Sequence, residues 1–420
     1  MIPLLSLFRM LSLIVALAVV GVNCTELRMR SFIANARAVV HIGPWKTGTT
    51  SLQYYVVQHK EAIRSKSYNW LGNCAKAHRV VVDRLREVPE SVARERKSYL
   101  GKCLLTFNQI DNFIRTHRQK RENVLFSSED FSLMSSPEIE SLRKFLQGYE
   151  ITIIMVYRYW GIHLYSFFNQ FAKTFRGSVF FDDWLALHHA STALPRPPLM
   201  STSSSLQDPD TFPASLPPSL YEDLLDRFGA VFGHANMRVV DYYGARVQHR
   251  QLEQIILCDV MASCDRRVHP TATSNPHNPS ADLTAVQLVY VLQQYVRAHN
   301  CTFRVHHRRF LDKEDAGSLW EEPLPVVTRT LPPELLQISR ARDRSFRAKV
   351  AALRPDMLLY GNSTANAQST ASFMYTELDR KVVADSEKWQ DRLRATAEVH
   401  VRSKRITCPA DHKGFGPLRG

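Results

Sequence analysis

The segment 38–53, AVVHIGPWKTGTTSLQ, constrains the fold of this chain more than any other stretch. Its first residues are apolar and β-branched, which is typical of a buried parallel strand. A loop with Gly43, Lys46 and Gly48 follows, and from Thr50 onward apolar residues recur at helical spacing. The segment therefore predicts a strand, a glycine-containing loop and a helix in direct succession.

Such a loop is suited to binding an anion. Backbone N–H groups at a helix N-terminus lack partners within the helix, and the helix dipole adds about half a positive charge there. Lys46 adds a full charge, and the neighbouring hydroxyls add directional donors. We therefore predict a site for a phosphate-like group, lined by Trp45, Lys46, Thr47, Gly48, Thr49, Thr50 and Ser51.

The position of the lysine narrows the choice of ligand. A nucleotide-triphosphate loop reads G-x-x-x-x-G-K-[ST], with the lysine after the second glycine. Gly43 and Gly48 have this separation, but Thr49 follows Gly48 and the lysine stands at position 46. The loop resembles the 5′-phosphosulfate loop of sulfotransferases, which bind 3′-phosphoadenosine-5′-phosphosulfate (PAPS). A divergent nucleotide kinase or NTPase stays open as an alternative.

A second motif strengthens the resemblance. The apolar run 151–157 predicts a strand, Arg158 follows it directly, and the predicted helix from about 160 to 173 carries Ser166. Sulfotransferases bind the 3′-phosphate of PAPS with an arginine at a strand end and a serine eight residues later. The resemblance therefore implies this role for Arg158 and Ser166, and a guanidinium group suits a dianionic phosphate.

A third strand is predicted to begin near residue 123 and to end in polar residues that include Glu129. The carboxyl ends of parallel strands meet at one edge of a sheet, so Lys46, Glu129 and Arg158 are expected on one rim. Sulfuryl transfer needs a base for the acceptor proton. Several carbohydrate-directed sulfotransferases use a glutamate after the corresponding strand, and the resemblance makes Glu129 the candidate base. Lys46 and Glu129 are therefore the two candidate catalytic residues. The alternatives are a Glu129 that only orients the loop, or a base at Asp130, His78 or His163.

These motifs predict an α/β protein with a parallel β-sheet flanked by helices, a P-loop-like sulfotransferase fold. The resemblance implies a sulfotransferase domain over 38–310, in which 190–218 is a surface insertion rich in Pro, Ser and Thr. Residues 311–420 form a C-terminal extension with no assigned role. Further predicted elements are a helix at 221–232, a strand at 237–242, a helix at 282–299 and a largely helical region at 60–120.

The resemblance implies transfer of a sulfuryl group from PAPS to a hydroxyl or amine acceptor, most simply on a carbohydrate. A catalytically inactive glycan-binding protein on the same fold is a further alternative. The sequence contains no evident metal-binding motif, and we expect no metal. Its net charge of +14 comes with dispersed arginines, so nucleic acid is not an expected partner, whereas an anionic cofactor and an anionic glycan are.

The N-terminus bears on localisation. The apolar residues of 1–23 fit a signal peptide or a signal anchor, which would attach the protein to a membrane if it is not cleaved. Glycosylation sequons occur at Asn23, Asn300 and Asn362. Seven cysteines make one or two disulfides plausible, with Cys258–Cys264 the shortest candidate pair. We expect the secretory pathway, most simply the Golgi membrane or lumen.

Overall fold

A parallel six-stranded sheet lies at the centre of the computed structural model, which describes residues 36–65, 67–96, 104–172, 180–185, 220–262, 283–303, 323–361 and 374–416. Its strands are β1 Arg37–His41, β2 Tyr68–Trp70, β3 Asn123–Ser127, β4 Glu150–Tyr157, β5 Met237–Asp241 and β8 Leu358–Leu359. Their spatial order is β2-β3-β1-β4-β5-β8, and all five strand pairs are parallel. This confirms the predicted α/β class.

Helices cover both faces of the sheet. Alternate residues of β1 serve the two sides: Ala38 and Val40 join one buried cluster, and Val39 joins another. The helices are α1 Thr49–Gln58, α2 Lys60–Arg64, α3 Arg79–Leu85, α4 Glu90–Arg96, α5 Phe107–Gln119, α6 Ser136–Phe145, α7 Trp160–Ala172, α8 Leu220–Phe232, α9 Tyr242–Val247, α10 Leu252–Gln254, α11 Leu283–Ala298, α12 Pro333–Leu353, α13 Arg380–Asp385 and α14 Glu387–Arg402.

The strand order reverses at β1. The chain runs from β1 to β2, returns to β3 beside β1, and then crosses to β4 on the other side of β1. In an open parallel sheet such a reversal leaves a crevice outside the carboxyl ends of the strands concerned, and ligands bind there. The three strands around this crevice are the three that the sequence predicts to carry functional side chains.

Residues from the 311–420 segment take part in the central layers. Helix α12 places Phe346 and Val350 in the same buried cluster as the sheet, and Arg347 donates to Asp241 at the end of β5 at 2.6 Å. Strand β8 then pairs with β5. Two antiparallel pairs complete the described strands: β7 Val326–Thr330 with β9 Met374–Leu378, and β6 Thr302–Phe303 with β10 Ile406–Thr407.

The four cysteines among the described residues are disulfide-bonded, and the one pairing that the structure defines was not predicted. Cys301 next to β6 is bonded to Cys408 next to β10, across 107 residues of sequence. Cys74 and Cys258 are also disulfide-bonded, and Cys264, the other member of the shortest candidate pair, lies outside the described residues. The predicted signal segment 1–23 and the insertion 190–218 lie outside them as well. Within the described part of the chain, no helix is both long and apolar enough to cross a membrane.

Candidate functional site

The loop after β1 leads directly into the N-terminus of α1. Gly48 is the N-cap residue, with φ 89°, and no side chain caps the helix. The first turn of α1 contains no acidic residue. The N–H groups at the start of a helix lack intrahelical partners and attract negative charge, so this helix end offers an anion its backbone donors.

The loop is tightly folded back on the helix. A Cβ at Gly43 would lie 2.5 Å from Thr49 Oγ1 and 2.8 Å from His41 Nε2, so only glycine fits there. Thr47 Oγ1 donates to the Pro44 carbonyl at 2.6 Å, which closes the turn. The hydroxyl of Thr49 is buried and has no hydrogen-bond partner among the described residues. The loop therefore retains an unused polar group at the base of the predicted phosphate site.

Lys46 has a backbone conformation that is unusual for a side chain other than glycine. Its φ is 67°, in the left-handed region. The carbonyls on either side of its α-carbon are both held: that of Trp45 accepts from His163 Nε2 at 2.7 Å, and that of Lys46 accepts from Arg158 Nη1 at 2.7 Å. Ser51 lies half-buried in the first turn of α1, and the Trp45 ring stacks on Phe167.

Arg158 lies directly after β4 and connects several parts of the site. Its Nη1 donates to Ser166 Oγ of α7 at 3.0 Å as well as to the Lys46 carbonyl. Its Nε donates to Tyr243 Oη at 3.0 Å, and its guanidinium carbon lies 5.3 Å from the ring centroid of Tyr242. The structure thus brings Arg158 and Ser166 into contact, and it places both beside the loop that contains Lys46.

Glu129 begins a 3₁₀ turn after β3 and contacts the helix of the loop. Its Oε1 accepts from Thr50 Oγ1 at 3.2 Å. The side chain is buried, and its Oε2 has no hydrogen-bond partner among the described residues. Asp130 instead lies near Arg79, with 3.9 Å between Oδ1 and Nε. Glu129 is therefore hydrogen-bonded to the first turn of α1, whereas Asp130 lies near Arg79.

The two histidines considered as bases have both ring nitrogens occupied. His78 Nε2 donates to the Leu71 carbonyl at 3.0 Å, and its Nδ1 accepts from the Ser127 N–H at 2.9 Å. His163 Nε2 donates to Trp45, and its Nδ1 accepts from Tyr221 Oη at 2.6 Å. Burial lowers the pKa of each to about 3. Neither has a lone pair left for a proton from a substrate.

Sequence reasoning missed the tyrosines around Arg158. The sequence predicts Tyr242 as the last residue of a strand, but β5 ends at Asp241. The Asp241 carboxylate accepts from the N–H groups of Tyr243 and Gly244 and caps the start of α9. The tyrosine pair therefore lies at the carboxyl edge of the sheet. The available signal in the sequence was Asp241, a helix-capping residue type, which follows a β-branched run and precedes two tyrosines. Tyr221, in α8, carried no such signal because its hydrogen bonds are with Arg158 and His163, which are distant in sequence.

Comparisons with known proteins were made at the level of both sequence and structure. No protein-family model matches the sequence, and no curated protein matches it. The structure is similar to the crystal structure of a sulfotransferase from Alicyclobacillus acidocaldarius, with a TM-score of 0.38 and 13% sequence identity, over 76% of this chain and 96% of that chain.

Proposed function

We propose that this protein is a PAPS-dependent sulfotransferase. The observation that carries the proposal is the position of Arg158, whose Nη1 reaches both the Lys46 carbonyl and Ser166 Oγ. The pair suited to a 3′-phosphate therefore adjoins the loop suited to a 5′-phosphosulfate. A nucleotide with phosphate groups at both ends of its ribose matches two such anion sites better than a triphosphate does.

The residues present fit the two anionic groups. The N-terminus of α1, Lys46 and the Thr49 hydroxyl, which has no hydrogen-bond partner among the described residues, would hold the phosphosulfate end. Arg158 and Ser166 would hold the 3′-phosphate, since a guanidinium fork and a hydroxyl both donate to phosphate oxygens. Each half of the nucleotide thus has its own donors.

The chemistry follows from the charges at the site. PAPS supplies the sulfuryl group and leaves as 3′-phosphoadenosine-5′-phosphate. Glu129 would accept the proton of the attacking hydroxyl or amine as the new bond to sulfur forms. Lys46 and the α1 N-terminus would stabilise the negative charge that develops on the leaving phosphate oxygen as its bond to sulfur breaks.

The acceptor and the compartment belong to the same proposal. We take the acceptor to be a carbohydrate, because the net charge of +14 favours anionic substrates such as an acidic glycan. The Cys301–Cys408 disulfide and the exposed sequon residue Asn300 support an oxidising, secretory location. The Golgi membrane or lumen, with segment 1–23 as anchor or signal, is the location proposed.

Ligand titration followed by a transfer assay tests the function. Calorimetry should show tight binding of 3′-phosphoadenosine-5′-phosphate and weaker binding of 5′-AMP, and labelled PAPS should then transfer its sulfuryl group to a member of a glycan panel. Ser166→Ala should reduce affinity for the 3′,5′-bisphosphate while leaving 5′-AMP unaffected. Preference for Mg·ATP would indicate a kinase instead, and glycan binding without nucleotide binding would indicate an inactive glycan-binding protein.

A further inference from the structure

A chain of buried hydrogen bonds connects Arg158 to the phosphate loop behind the site. The Arg158 N–H donates to Tyr221 Oη at 3.0 Å, Tyr221 Oη donates to His163 Nδ1 at 2.6 Å, and His163 Nε2 donates to the Trp45 carbonyl at 2.7 Å. His163 and Tyr221 are fully or almost fully buried. We call Tyr221 and His163 the relay.

The direction of every bond in the relay is fixed. The Arg158 N–H can only donate and the Trp45 carbonyl can only accept, so Tyr221 must donate to Nδ1 and His163 must carry its proton on Nε2. Burial, together with the nearby charge of Arg158, lowers the pKa of His163 to about 3 and keeps the ring neutral. The relay is therefore a single defined arrangement of hydrogen bonds.

The relay and the Arg158 side chain hold neighbouring points of the loop. The relay ends on the Trp45 carbonyl, and Arg158 Nη1 ends on the Lys46 carbonyl, one residue further along. These two carbonyls flank the left-handed Lys46, a conformation that persists only where its surroundings hold it. The main chain and the side chain of Arg158 thus form a closed ring of contacts with the loop.

We infer that Tyr221 and His163 are positioning residues that set the separation between the two phosphate sites. The inference rests on the proposed function, in which the loop binds the 5′ end of the nucleotide and Arg158 binds the 3′-phosphate. A ligand that binds at two sites gains affinity only when the distance between the sites matches the distance between its two binding groups. The relay therefore selects a nucleotide phosphorylated at both ends without touching it.

Tyr221→Phe is the direct test, because it keeps the ring that packs on Tyr157 and Phe346 and removes only the hydroxyl. Calorimetry with three probes, the 3′,5′-bisphosphate of adenosine, 5′-AMP and 3′-AMP, separates coupling from general damage. We expect the affinity for the bisphosphate to fall about tenfold, which corresponds to the loss of one or two hydrogen bonds. The affinity for each monophosphate should fall by less than about twofold.

Two further sets of variants complete the test. Tyr149→Phe removes another buried tyrosine hydrogen bond, to the Ile114 carbonyl at the opposite edge of the sheet, and should leave all three affinities unchanged. His163→Gln can still donate to the Trp45 carbonyl and should retain more bisphosphate affinity than His163→Phe. Titration stoichiometry reports the folded fraction, so loss of folding is distinguished from loss of affinity.

The outcomes separate the inference from the function on which it rests. Equal losses for all three nucleotides in Tyr221→Phe, or no loss for any, would overturn the positioning role while leaving the sulfotransferase proposal intact. Unmodified protein that binds the bisphosphate no better than the monophosphates would overturn both.

Discussion

At the scale of single residues, the structure gives two neighbouring acidic side chains different surroundings. Glu129 and Asp130 are adjacent, yet Glu129 accepts from Thr50 of the loop helix whereas Asp130 faces Arg79. This division arises because the 3₁₀ turn after β3 directs successive side chains differently. Sequence alone left the two carboxylates as rivals, since neighbouring acidic residues look alike until the backbone orients them.

Lys46→Ala should lower kcat by about 100-fold or more, the order of one lost electrostatic contact to a developing charge, with a smaller effect on nucleotide affinity. Steady-state sulfuryl transfer and calorimetric titration with the 3′,5′-bisphosphate measure the two quantities. Lys144→Ala, at an exposed position on α6, is the matched control and should behave as unmodified protein. A normal kcat with weakened binding would mean that Lys46 serves only as an anchor.

Glu129→Gln should remove most activity and leave nucleotide binding intact, because the amide has nearly the same shape but cannot accept the proton. The acidic limb of the pH profile of kcat/KM should disappear with it. Asp130→Asn is the control and should keep both activity and that limb. Loss of activity in Asp130→Asn alone would move the base by one residue.

At the scale of elements, the strands and helices with strong patterns were predicted well. Helices predicted at 221–232 and 282–299 are found at Leu220–Phe232 and Leu283–Ala298, and the strand predicted at 237–242 is found at Met237–Asp241. Such elements can be predicted because their apolar periodicity extends over many residues.

Short elements were missed. The region 60–120, predicted as largely helical, contains the three-residue strand β2, and residues 311–420 supply the two-residue strand β8. Strands this short have no periodicity and exist only through their pairing with β3 and β5. The motifs of the site were visible because they are local, whereas the Tyr221–His163 contacts join residues 58 positions apart.

Gly43→Ala tests how tightly the loop element packs on α1. A Cβ there would lie 2.5 Å from Thr49 Oγ1, so the loop or the helix must shift. We expect a loss of about 1–3 kcal/mol in the free energy of unfolding, as for overpacking of a core, together with loss of bisphosphate binding. Urea unfolding and calorimetry measure these. Unchanged stability and binding would show that the loop adapts without cost.

At the scale of the whole molecule, three buried histidines make the fold sensitive to acid. Burial lowers the pKa of His41, His78 and His163 to about 3, from an ordinary value near 6.5. Between these values the unfolded chain binds protons that the folded chain does not, so stability is full above about pH 6.5 and falls as the pH drops toward 3. Urea unfolding should show a loss of several kcal/mol, about 2 for each histidine that behaves this way, between pH 7.5 and pH 5. A flat profile over this range would contradict the burial of these rings as neutral groups.

The Cys301–Cys408 disulfide joins two distant parts of the chain, and its loss should destabilise the folded state. It closes a loop of 107 residues, which in the chain-entropy account contributes about 4 kcal/mol or more. The variant Cys301→Ser/Cys408→Ser should therefore unfold at lower urea concentration than unmodified protein. Because Cys74 and Cys258 are also bonded, reduction with dithiothreitol should lower the free energy of unfolding more than the double substitution does. An unchanged midpoint in the double variant would mean that the antiparallel pair β6–β10 holds these segments by itself.

The two outer strands of the central sheet, β2 and β8, are only three and two residues long. An exposed strand edge is a template on which another chain can add itself through backbone hydrogen bonds, and long flat edges invite aggregation. Margins this short offer an incoming chain few such bonds. Within the part of the chain that the structure describes, we therefore expect the sheet to resist edge-to-edge growth into fibres. Its colloidal stability is then a consequence of its two shortest strands.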